Sequence, residues 1–283
     1  MRAGMTRFSW ASRLLIGAVL ASAAGLATAQ SLPVNITASG NSASIVIGLP
    51  GQTMADVSLT FEDASGLSAS SLGVSAQQVS LSDVSLLARL PSSSLTTVPS
   101  ALPLLITIEP PANGGLSFRN TGRMEIHTHA LAYSIGSSFR VLKAPLGGAF
   151  RDVTDEIAQG STRARTTYGG FSQFLIVTDL RDTGDVIDEK IGWLRDKVAT
   201  LPLNERGAFN AWLDDIETAV ATEDFSTALS LTDQFRARAH DRAGSHLANE
   251  WRATRDVDNQ AGELAAGAAT LRFSVAYLRD FGP

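Results

Sequence analysis

Cysteine is absent. A chain without thiols has no disulfide framework, no cysteine nucleophile and no thiolate ligands for a metal, so its stability rests on burial. Basic residues are in the minority, 23 Lys and Arg against 28 Asp and Glu, for a net charge of −5. An acidic chain is a poor candidate for binding DNA or RNA, where neutralising phosphates needs clustered Lys and Arg. After Ala27 no apolar run reaches the roughly 20 residues that a membrane-spanning helix needs, so the mature chain is not an integral helical membrane protein. No G-x-S-x-G motif is present, and Gly170-Phe-Ser-Gln-Phe174 lacks the second glycine. No acidic cluster has the spacing of an EF-hand loop. These absences leave no motif for an enzyme of a standard class, so the expectation is a non-enzymatic protein.

What is present begins with an export signal. Arg2, Arg7 and Arg13 form a basic n-region without an acid, Leu14 to Ala27 an apolar h-region, and Ala27-Thr28-Ala29 a small-residue cleavage site. The apolar run of about 14 residues is too short for a bilayer span. No paired arginines precede it in twin-arginine style, and no cysteine follows the cleavage point to carry a lipid. Cleavage after Ala29 removes three arginines and takes the net charge from −5 to −8. The expected protein is periplasmic or secreted, with roughly 250 mature residues, enough for one large core or two ordinary ones.

The mature chain divides into two compositions. Residues 30–179 are rich in Ser, Thr, Gly and Pro. Short strand signals recur at Val34 to Thr37, Ser44 to Ile47, Val57 to Phe61, Leu104 to Ile108, Met124 to Tyr133, Phe139 to Lys143 and Phe171 to Val177. Turn signals separate them at Leu49-Pro-Gly51, Asn113-Gly-Gly115, Gly147-Gly148 and Gly169-Gly170. Seven or so strands over this length predict an antiparallel immunoglobulin-like β-sandwich. Gly66 to Pro99 holds either a short helix or an irregular crossover between sheets.

Near Thr183-Gly184 the period becomes helical. Ile187, Ile191, Leu194 and Val198 form one stripe, and Phe209, Leu213, Ile216 and Val220 a second with Asn204 as a candidate cap. Thr222 or Asp224 starts a third helix carrying Phe225, Ala228, Leu229 and Phe235. Ser245 is expected to cap a long fourth helix striped by Leu247, Trp251, Leu264, Ala268, Leu271, Val275 and Leu278. Short connections predict an antiparallel α-helical bundle over 185–281, making the whole an α+β chain of two modules.

Two stretches carry a resemblance. Ile187-Asp-Glu-Lys-Ile-Gly-Trp-Leu194, Leu201-Pro-Leu-Asn204, Asp215-Ile-Glu-Thr-Ala219 and Asp224-Phe-Ser-Thr-Ala-Leu229 resemble, over about 60 residues, the FIMAH-type helical domain of bacterial extracellular proteins. Phe139-Arg-Val-Leu-Lys-Ala-Pro145 and Gly170-Phe-Ser-Gln-Phe-Leu175 resemble segments of uncharacterised exported bacterial proteins in which a sandwich leads into helices. The likeness implies a secreted, non-catalytic role and assigns no functional residue; sandwich modules outside cells often serve recognition, so a binding, adhesion or scaffolding role is expected.

Candidate chemistry is sparse. In Glu125-Ile-His127-Thr-His129 the three polar side chains share one strand face, about 6–7 Å apart along the strand. Two histidines and a carboxylate are suitable zinc ligands and would suit a metal-dependent hydrolase. Alternatively they form the solvated face of a strand whose other side, Met124, Ile126, Ala130 and Ala132, is core. Acidic pairs such as Glu62-Asp63, Asp155-Glu156, Asp214-Asp215 and Glu223-Asp224 could take Ca²⁺ or could be turns and solvated faces. Trp193 and Trp212 each sit one residue off an apolar stripe, as stripe-edge packing or as an exposed patch for an envelope or extracellular protein or a glycan. A small-ligand carrier with a pocket between the two modules is the third possibility.

Overall fold

The computed structural model describes residues 29–49 and 51–283. The n-region, the apolar run and Ala27-Thr28 of the expected export signal lie outside them, as does Pro50 of the first turn. In chain order the elements are β1 (Gln30–Leu32), β2 (Val34–Ser39), β3 (Ser42–Leu49), β4 (Gln52–Ser65), α1 (Ala69–Leu72), β5 (Val74–Gln78), α2 (Val84–Leu87), β6 (Thr96–Thr97) and β7 (Leu104–Ile108). They continue with β8 (Ser117–Thr128), β9 (Phe139–Ala144), β10 (Arg151–Asp152), β11 (Thr154–Ala158), β12 (Thr162–Tyr168) and β13 (Gln173–Asp179). The C-terminal part holds α3 (Thr183–Ala199), α4 (Leu203–Ala221), α5 (Phe225–Arg242), β14 (Trp251–Arg252) and α6 (Gln260–Phe281).

The strands form two seven-stranded antiparallel sheets in a sandwich-like arrangement. One runs β1-β5-β7-β13-β9-β10 with β6 on β13; the other runs β11-β12-β8-β4-β3-β2 with β14 on β8. Period-2 alternation sets the inner faces: Ala43, Ile45 and Ile47 from β3, and Ala55, Val57, Leu59 and Phe61 from β4, meet Ile106, Ile108, Val141, Phe174 and Ile176 of the facing sheet. The first sheet is covered on its other side too. There Leu105, Leu142, Leu175 and Val177 pack against Val79, Leu86, Leu90 and Val98. Burial on both faces explains why β13 reads as a continuous apolar run rather than an alternation. The 66–99 region thus contains both a helix and a crossover: α1 capped by Ser68, α2 capped by Asp83, and strands that join the first sheet.

The three helices α3–α5 follow the expected stripes. Ile187, Ile191, Leu194, Val198, Phe209, Leu213, Ile216, Phe235, Leu264, Leu271 and Val275 share one core. Asp224 caps α5 through the Thr227 N–H at 3.1 Å. The cap of α4 is Pro202; Asn204 lies one residue inside the helix.

Two further expectations are corrected. The strand expected to reach Tyr133 ends at Thr128, and Ala130 and Ala132 are exposed. The fourth helix does not start at Ser245 but at Gln260, capped by Asn259 through the Gly262 N–H at 3.0 Å. Between them the chain returns to the sandwich. Trp251 pairs with Phe118 of β8, on the side that β12 leaves at Gly122, and the Ala253 N–H donates to Leu116 at 3.0 Å. Trp251 stacks on Phe118 (5.3 Å) and meets Phe171 edge-on (5.0 Å), so it belongs to the sandwich core rather than to a helix stripe.

The start of α6 is pressed against the second sheet. A Cβ on Gly262 would overlap the Asn120 carbonyl, and one on Gly169 would overlap the backbone of Glu263. Asn259 donates to the carbonyls of Asn120 (2.8 Å) and Gly169 (3.1 Å), and Asn249 exchanges bonds with Asn120 at 2.8 and 2.9 Å. Backbone contact and three asparagines therefore hold the helices to the strands at this point. A second join is ionic: Lys190 of α3 meets Asp152 of β10 at 3.2 Å.

Candidate functional site

Beside this join lies a cleft formed by two adjoining cavities of about 300 and 500 Å³, sharing Lys143, Phe171, Lys197, Arg255 and Glu263. Its residues come from both parts of the chain. Lys143 lies on β9, with the same parity as the core residue Val141, directly opposite Arg151 of β10. Lys197 comes from the last turn of α3 and Glu263 from the first turn of α6. Trp193, Trp251 and Phe171 supply aromatic walls.

The charges concentrate on Glu263. Its carboxylate lies 3.6 Å from the Lys143 ammonium and 3.5 Å from that of Lys197. Burial alone would push Glu263 up, but Lys143, Lys197 and Arg151 outweigh it and hold the carboxyl at about 2. Lys143, only 11% exposed, goes the other way. Burial lowers its pKa to about 8, with Arg151 and Lys197 adding to the fall and Glu263 opposing it. The Arg151 guanidinium carbon sits over the Trp193 ring, 3.7 Å from its centre, and Lys197 approaches the same ring at 5.3 Å. Arg255 is already occupied, pairing with Glu109 at 2.9 Å and resting over Trp251.

The expected residues fall in three places. Trp193 is half-buried as a wall of this cleft and serves as a platform for two cations. Trp212 lies elsewhere, half-buried on Phe209 and beside Arg238 over a separate shallow cavity. Glu125, His127 and His129 lie on the outer face of the second sheet, where the two imidazoles meet edge-on at 4.8 Å but Glu125 is turned to two arginines. Glu125 accepts hydrogen bonds from Arg163 and, at 2.6 Å, from Arg165. Burial raises its pKa, but the two arginines outweigh that and leave it low. His127 faces Asp56 at 3.9 Å, while His129 shares a hydrogen with Ser161 at 2.7 Å. Among the described residues no three His, Asp or Glu side chains group in a way that could hold a metal ion. The carboxylate is diverted by β12, whose Arg163 and Arg165 stand opposite His127 and Glu125. The alternation Thr-Arg-Ala-Arg-Thr over 162–166 carried the signal for that strand.

The cleft's own residues had a weaker signal. Lys143 stands between the buried side chains of Leu142 and Ala144, on a strand whose other charge is Arg140. A lone charge between two buried side chains calls for a compensating partner, but nothing local shows that Glu263 supplies it.

No helix among the described residues is long and apolar enough to cross a membrane. Residues 17–279 match the model of a family of unknown function, DUF6689, and the chain belongs to that family. No curated protein matches the chain. No solved structure matches it.

Proposed function

We propose that this is an exported, non-enzymatic binding protein in which an immunoglobulin-like sandwich and a four-helix bundle hold a ligand in the cleft between them. The single observation that carries this is the cation cluster of Lys143, Lys197 and Arg151 around one carboxylate, in a concave site walled by Trp193, Trp251 and Phe171. A chain of net negative charge places a local excess of positive charge there, and the site's aromatic walls offer contact area for a small molecule or the end of a glycan or envelope component. The basic, apolar and small-residue pattern over 1–29 supports a ligand met outside the cytoplasm. A zinc hydrolase on Glu125, His127 and His129 is less well supported, because Glu125 is taken by two arginines.

Native mass spectrometry of protein purified from the envelope and culture fluid tests the binding role. A small molecule retained by the parent and lost from Ala149→Trp, which fills the rim of the cleft, supports it. Retention of the same molecule by Ala149→Trp places binding elsewhere and removes the cleft from the proposal. Edman sequencing of the same sample reads the export expectation, with Gln30 as the first residue.

A further inference from the structure

Most other buried or half-buried cations in this protein have hydrogen-bond acceptors, Arg236 on α5 being an exception. Lys190 donates to the Thr270 carbonyl at 2.9 Å and to the Ser274 hydroxyl at 2.8 Å. Arg140 donates to the carbonyls of Ser137 and Phe139 at 2.8 Å. Arg181 is fixed by both oxygens of Asp179. The three cleft cations differ. Lys143 and Lys197 approach Glu263 only to 3.6 and 3.5 Å, beyond a well-made hydrogen bond. Arg151 has no carboxylate within 4 Å among the described residues and rests only on Trp193. One carboxylate is shared by three positive heads, which leaves two charges and most of their N–H donors unanswered in a walled cleft. None of those nitrogens is sealed from solvent, so they stay accessible to an incoming acceptor.

We propose that the cleft recognises an oxyanion: a small ligand presenting two or more carboxylate or phosphate oxygens to Lys143, Arg151 and Lys197, in the space beside Glu263. This rests on the cleft being the binding site, as argued above. Arg151 contributes the planar fork suited to bidentate contact, and the two lysines contribute point charges on either side. Glu263 is the internal competitor. It holds the lysines in place while the ligand is away, and its negative charge opposes an incoming anion. The volume, two adjoining spaces of about 300 and 500 Å³, suits a compact di- or tri-anion or an acidic monosaccharide.

The test is calorimetric titration of the full mature protein with citrate, inorganic phosphate and pyrophosphate at matched ionic strength, with glucose as a neutral control. Binding of citrate alone assigns a carboxylate source, and binding of the phosphates alone a phosphoryl source. Lys143→Met and Arg151→Met should each weaken binding about tenfold or more, as expected for a lost charge-assisted hydrogen bond. Glu263→Gln should tighten it by a similar factor. Should Glu263→Gln fail to fold, Lys197→Gln, at a position 39% exposed, reads the same site and should weaken binding. The proposal is overturned if the parent and these variants bind none of the three anions at millimolar concentration, or if all variants bind alike. If instead a neutral ligand from the envelope is retained by the parent and lost from Ala149→Trp, the oxyanion inference falls while the cleft remains the binding site.

Discussion

Replacing Lys190 by Met should destabilise the protein by about 3 kcal/mol, the lower end of the 3–5 kcal/mol that breaking a buried ion pair costs. Lys190 and Asp152 have side chains 5% and 1% exposed. Their 3.2 Å contact is an ion pair without hydrogen-bond geometry, so Asp152 Oδ2 relies on charge alone. Methionine keeps the length of the lysine stem but leaves that oxygen facing a buried neutral group. The lower end applies because Asp152 Oδ1 keeps the Thr154 N–H (2.7 Å) and hydroxyl (2.6 Å), and because Arg140 still acts on it. The pH dependence has a definite sign. In the parent, burial raises the Asp152 pKa, but Lys190 and then Arg140 outweigh it and hold it low. Without Lys190 burial dominates, and the folded-state pKa rises above the unfolded one. The penalty is then complete at high pH and shrinks as pH falls through the raised value. Urea unfolding at pH 7 and pH 5 should therefore show the Lys190→Met deficit narrowing with acid. Lys190→Met combined with Asp152→Asn should recover to within about 1 kcal/mol of the parent, since it removes the unpaired charge while the amide oxygen still accepts from Thr154. A single-variant loss below about 1 kcal/mol, or a double variant as unstable as the sum of its singles, would refute the argument that this pair joins α3 to the sheet.

Three further outcomes are expected. Tyr168 is fully buried and its hydroxyl has no partner among the described residues, so Tyr168→Phe should raise stability by about 1 kcal/mol in thermal unfolding; a loss of that size would mean the hydroxyl is bonded. Trp251→Ala should cost about 3–5 kcal/mol and lower the unfolding midpoint of the strand signal as well as that of the helices, because the indole fills the sandwich core. Citrate affinity at constant ionic strength should weaken as pH rises through about 8, where Lys143 loses its proton. Glu263 on α6 favours that proton, and Arg151 on β10 and Lys197 on α3 disfavour it; Lys143→Met should show a flat profile over the same range, and an unchanged slope in that variant would remove Lys143 from the contact.

Local pattern carried much of the fold. The alternation in Ser42 to Leu49 and Gln52 to Ser65 marks two strands half-buried on one face, and the stripe Ile187, Ile191, Leu194, Val198 marks α3, because each depends on neighbours three or four residues away at most. The last helix was misplaced because Leu247 and Trp251 satisfy an i, i+4 spacing that a strand's end also satisfies when its partner is far away. The polar run Arg252 to Gln260, ending in Asn259 with Glu263 a turn later, was the boundary signal that outweighed them. Glu125, His127 and His129 do share a face, as their spacing required, yet their chemistry is decided by arginines nearly forty positions on. The cleft is harder still. Lys143, Arg151, Lys197, Arg255 and Glu263 have no common spacing, and only the packing of α6 onto the strands makes them neighbours.

The return of Trp251 to β8 also sets a timetable for synthesis. Strands β1 to β13 are complete at Asp179, yet the aromatic centre around Phe61, Phe118 and Phe171 lacks its last ring until Ala253 has been made. That is roughly seventy residues later, or about 4–14 s at the usual 5–20 residues per second. During that interval the nascent sandwich has an open slot beside Phe118, and α3 to α5 emerge before anything closes it. A chain built this way reaches its native core only when nearly all of it is available. A chain cut before Trp251 therefore loses part of the sandwich core as well as α6.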